Sequence, residues 1–70
     1  MNVLDLKAEI ARCGLTLPKL AEIIEIDKKT MYSRIKGETS FKQDEIVKIS
    51  LALNLTEDKI LSIFFTDLVS

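Results

Sequence analysis

LTLPKLAEIIEIDKKTMYSRIKG, residues 15–37, holds two apolar clusters at helical spacing on either side of a polar break. Thr16 suits the start of a helix, because its hydroxyl can accept an orphan backbone N–H, and Pro18 is tolerated in a first turn that needs no intrahelical donor. Leu20, Ala21, Ile23 and Ile24 follow, and EIDKK then interrupts the pattern, so this helix is short, roughly two turns. Asp27 is placed to cap the next helix, from about Lys28 to Lys36, with Met31 and Ile35 one turn apart on its buried side and Gly37 closing it. A helix of about eight residues, a turn of about three and a helix of about nine is helix-turn-helix spacing over residues 17–36. Ala21 lets the two helices approach closely, and Ile26 supplies an apolar residue in the turn.

The same periodicity runs outward in both directions. Val3, Leu6, Ile10 and Cys13 form an earlier helix that Gly14 ends in the left-handed conformation. A fourth helix begins in the acid-rich QDE, where carboxylates suit the positive end of the helix dipole, and continues through Ile46, Ile49 and Leu53 to Asn54. Thr56 caps a fifth, whose first turn carries Glu57 and Asp58 ahead of Ile60, Leu61, Ile63, Phe64 and Phe65. No stretch alternates as a strand would, so the expected fold is all-α, a compact five-helix bundle forming one domain over residues 1–70. The apolar positions of the fifth helix wrap more than one stripe. That excess predicts a homodimer contact through Phe64, Phe65 and Leu68, with residues 66–70 a flexible or dimer-contacting tail.

Composition narrows the function. Hydrophobic residues make up 47% of the chain, which argues against disorder, yet they are interleaved with charges and no run approaches the length that spans a bilayer. MNVLDLKAEI does not read as a signal peptide, and the unpaired thiol of Cys13 fits a reducing cytoplasm, so a cytoplasmic protein is expected. With no histidine, no glycine-rich phosphate loop and little room for a substrate cavity, neither an enzyme nor a metal or cofactor site is expected. The net charge is −1, but the segment from Lys28 to Lys42 carries Lys28, Lys29, Arg34, Lys36 and Lys42 against Glu38 alone, a local +4 on an otherwise acidic chain. Such a distribution focuses positive potential on one face.

LTLPKLAEIIEIDKKTMYSRIKG, followed by FKQDEIVKISLALNLTEDKILSIFF, resembles the phage repressor and Cro class of helix-turn-helix proteins, the XRE type with a lambda repressor-like fold, from about Leu6 to Phe65. The resemblance implies a sequence-specific DNA-binding transcriptional regulator, acting in the cytoplasm of a bacterial host cell, whose third helix lies in the major groove of double-stranded operator DNA. It makes Lys28, Lys29 and Ser33 the residues facing base edges. It also puts Thr30, Tyr32 and Lys36 near phosphates or groove walls; by their own chemistry Thr16, Lys19 and Lys42 can hold phosphates too. Leu17 stands where many members of that class have a phosphate-binding glutamine, and Glu25 where many have glycine.

Rival readings attach to the same residues. A short basic run taken alone is more often a solvated helix face than a site, and Tyr32 reads equally as a rim aromatic over Ile35. Cys13 reads as a small core residue. The acidic balance and Leu17 also fit a protein-binding antirepressor or repression modulator on the same fold, whose partner would be a repressor protein.

Overall fold

The computed structural model describes residues 1–66. Over these residues the chain forms α1 (Val3–Arg12), α2 (Leu17–Ile23), α3 (Lys28–Lys36), α4 (Gln43–Ala52) and α5 (Glu57–Phe64), and no strand. The radius of gyration is 11.1 Å, and a compact chain of this length is expected near ~11 Å.

Local chemistry places each helix boundary. Asn2, Thr16 and Thr56 accept the backbone N–H groups of Asp5, Lys19 and Lys59 through their side chains at 3.0, 3.3 and 3.2 Å, so α1, α2 and α5 start on side-chain caps. α4 starts differently: the Glu45 carboxylate reaches back to accept the Lys42 N–H at 3.0 Å.

α1 to α4 end in one shared motif. Gly14, Glu25, Gly37 and Asn54 all have positive φ, at 72, 64, 85 and 53°. In each case the residue's own N–H and the next one bond back to carbonyls of the last turn, as in Glu25 to Glu22 at 3.2 Å and Ile26 to Ala21 at 2.9 Å. Leu15, Ile26 and Leu55, the residues just past three of these turns, fold back against the core.

Glycine and asparagine enter the left-handed region at little cost, whereas for Glu25 it costs about 1–2 kcal/mol. The packing of α2 on α3 outweighs that local preference. Glu25→Gly is therefore expected to raise the melting temperature by about 5 °C in a thermal circular-dichroism scan.

The core takes one or two residues from every helix: Leu6 and Ile10 from α1, Leu20 and Ala21 from α2, Met31 and Ile35 from α3, Ile49 from α4 and Ile63 from α5. Ile24 and Leu53, at the ends of α2 and α4, complete it. α5 closes on α1, where the Asn2 N–H donates to the Ile63 carbonyl at 2.7 Å and Lys59 pairs with Asp5 at 3.1 Å. The end of α4 is tied to the end of α1, because the Leu53 carbonyl accepts from Arg12 Nη2 at 3.2 Å and faces the Cys13 thiol at 3.7 Å. Cys13 thus sits partly buried beside the core.

Candidate nucleic-acid interface

α3 is held from beneath by three side chains. Met31 is fully buried and Ile35 is 8% exposed, one turn apart as their spacing predicts. On the flank beside them Arg34 turns toward α4 and forms a two-pronged ion pair with Glu45, Nε to Oε1 at 2.7 Å and Nη2 to Oε2 at 3.0 Å. Its remaining nitrogen, Nη1, donates to Thr39 Oγ1 at 2.7 Å.

Glu45 is the buried charged residue of the described part of the chain. Besides both Arg34 bonds it accepts the Lys42 N–H, and no buried side-chain nitrogen or oxygen among the described residues lacks a partner. The Arg34 hydrogen bonds hold the Glu45 carboxyl below its ordinary 4.5; burial pushes the other way, and the Lys42 N–H reinforces Arg34.

This pairing corrects the charge reading. Arg34 belongs to the scaffold and not to the exposed basic face, because its guanidinium is neutralised by a carboxylate eleven positions away. Lys28, Lys29, Lys36 and Lys42 remain exposed.

The outward side of α3 follows from the helical rotation of ~100° per residue. Lys29, Ser33 and Lys36 lie opposite the Met31 and Ile35 edge, and Lys28 stands at the N-terminal tip. Thr30 is partly covered, and Tyr32, on the flank, is 42% exposed.

Two details were not legible from spacing. The Ser33 hydroxyl donates to Glu38 Oε1 at 3.1 Å, which brings a carboxylate onto the same face as the lysines. Asp27 occupies the N-cap position with an extended backbone, but its carboxylate makes no capping bond, contrary to expectation; its carbonyl accepts the Met31 N–H at 2.9 Å. The first turn of α3 is thus left without a side-chain cap.

The remaining predicted anchors are spread over other elements. Thr16 uses its oxygen to cap α2 and stays exposed, and Lys19 beside it makes a loose, solvated contact with Glu22 at 3.7 Å. Leu17 packs against the core, so it serves the fold where a polar residue would have reached outward. Lys42 is the N-cap residue of α4.

The residues expected at a dimer contact divide. Phe64 turns inward and meets Phe41 edge to face, ring centres 5.8 Å apart, so it completes the core. Phe65 is 37% exposed on the surface, and Leu68 lies outside the described residues. Among the described residues no helix is long and apolar enough to cross a membrane, and no cluster of acidic or cysteine side chains is arranged to hold a metal ion.

No protein-family model matches the chain, and no curated protein or solved structure matches it.

Proposed function

We infer that this chain is a sequence-specific DNA-binding transcriptional regulator, a helix-turn-helix protein of the phage repressor and Cro kind, in which α2 and the turn support α3 in the major groove. One observation carries the reading. Lys28, Lys29 and Lys36 stand exposed, with Ser33 between them, on the outer side of a short helix that is locked to the core by Met31 and Ile35 and braced by Arg34 on Glu45.

A rigid, convex, basic helix end on an acidic body is what groove entry requires. Lysine ammonium groups donate to the guanine N7 and O6 acceptors, the Ser33 hydroxyl serves a base or a phosphate, and the acidic remainder keeps the protein off DNA elsewhere. Tyr32 and Thr30 sit beside this edge, where groove walls would lie. Thr16, Lys19 and Lys42 supply the phosphate contacts that set register.

Selection of duplexes from a random pool, followed by titration of the enriched sequence across a salt series, tests the proposal. Affinity should fall with a log–log slope of about −3 to −4, the value for four neutralised phosphates or slightly fewer. Failure to enrich any sequence at about 50 mM salt would remove the DNA reading.

The Glu38 carboxylate against Ser33 favours a second reading, in which this face meets a protein. A negative charge there opposes phosphate but suits a basic partner such as the DNA-binding surface of a repressor. The two readings predict opposite signs for Glu38→Gln. A DNA reader should gain about three- to tenfold in affinity for its duplex by mobility shift, because one repulsion among lysines is lifted; a repressor binder should lose affinity for its partner.

A further inference from the structure

The outermost ridge of α4 is apolar. Ile49 is fully buried and fixes the inner side of the helix, and Val47 and Leu51, one turn apart on the side opposite, are 52% and 77% exposed. Next to that ridge, between α4 and α5, runs a groove of about 700 Å³ whose walls include Ile46, Ile60 and Phe65. Scattered exposed leucines such as Leu4 need no explanation, but a ridge and a groove that are contiguous and apolar mark a contact surface.

The charges beside the ridge indicate what covers it. Asp44 and Lys48, four residues apart, line one flank of α4 next to Val47. Neither takes part in an ion pair among the described residues. If two copies lay α4 against α4 in antiparallel fashion, a twofold axis crossing the pair would keep both flanks on the same side of the contact. Each Lys48 would then face the partner's Asp44 when the axis passes beside residue 46, which sets Val47 against its own copy at the centre and Leu51 farther out, over the start of the partner's α4. The surface is therefore self-complementary in charge as well as apolar, which is what an isologous contact demands.

We propose that a second copy of this chain covers the α4–α5 face, with Val47 at the buried centre, Leu51 and Phe65 beside it, and reciprocal Asp44–Lys48 pairs at the rim. This contact is independent of the DNA reading. It also shifts the dimer surface away from the C-terminal aromatics and tail toward α4, with Phe65 the shared element.

Sedimentation velocity on the full chain from low to high micromolar concentration tests it. The wild type should sediment as a two-chain species, and Leu51→Glu should weaken association by about thirtyfold or more while leaving the melting temperature of the dilute protein unchanged. Asp44→Lys and Lys48→Asp should each weaken the dimer, and the two combined in one chain should restore it. A wild type that stays monomeric at high micromolar concentration, or a dimer indifferent to Leu51→Glu, would overturn the proposal. Failure of the double charge reversal to recover what the singles lose would overturn the antiparallel arrangement.

Discussion

Replacing Lys28 and Lys29 together by alanine is expected to cut affinity for the enriched duplex about a hundredfold near physiological salt, with no change in helical content or melting temperature. Each lysine at the tip of α3 contributes on the order of 1 kcal/mol or more, through a base acceptor or through phosphate attraction. Losing two such cations should also make the salt dependence shallower by about 1.8 in log–log slope if both meet phosphates, and by less if one of them reads a base. The two roles can thus be told apart. A base reader loses discrimination between the enriched duplex and a scrambled one, whereas a phosphate anchor weakens both duplexes alike. Both side chains are exposed and make no ion pair among the described residues, so the folded chain has little to lose with them. Ser33→Ala is a milder variant on the same face. It also releases Glu38, so its effect on binding reports the balance between a lost hydroxyl and a freed carboxylate.

The second large effect concerns the scaffold. Glu45→Ala should lower the melting temperature by about 10 °C or more, because it strips the partner from a guanidinium already drawn in beside α4 and leaves the Lys42 N–H without an acceptor. Glu45→Gln, which keeps the shape and one acceptor oxygen, should cost less. Exposed pairs such as Lys19 with Glu22 should be nearly silent when removed, since solvent already screens them.

The same pair dictates an acid response. The folded Glu45 carboxyl titrates below its ordinary 4.5, so the folded state resists protonation that the unfolded chain accepts. Its contribution to stability is complete above that ordinary value and drains away as pH falls through the lower, folded one. A plot of melting temperature against pH should therefore descend below about pH 4.5 in the wild type, and less steeply in Glu45→Gln. Because Arg34 lies on α3, loss of the pair should also loosen the helix that carries the lysines. DNA affinity should then fall in acid together with stability.

Much of the fold was legible in local signals. Thr16 and Thr56 cap the helices they were expected to cap, Gly14, Gly37 and Asn54 end theirs, and Met31 and Ile35 are buried as their spacing required. Each of these depends on residues within about one turn, which is the range over which periodicity and capping act. What escaped depends on which side chains actually pair, which neither periodicity nor capping position marks. Arg34 counts as part of a basic run until the fold brings Glu45 against it, and neither residue carries a local mark of the pairing. Glu38 reaches Ser33 only because the chain reverses at Gly37. Asp27 sits where a capping residue should, yet its solvated carboxylate makes no bond to the helix. Val47 and Leu51 were readable in principle, since a rotation of ~100° per residue sets them opposite Ile49, but inside a run of apolar residues they pass for core.

Amide chemical-shift mapping during titration with the enriched duplex tests most directly whether the outer face of α3 meets DNA. The largest shifts should fall on Lys28, Lys29, Ser33 and Lys36, with smaller ones at Thr16, Lys19 and Lys42 and none along the Val47–Leu51 ridge of α4. Binding that leaves residues 28–36 unshifted while other elements respond would contradict that contact.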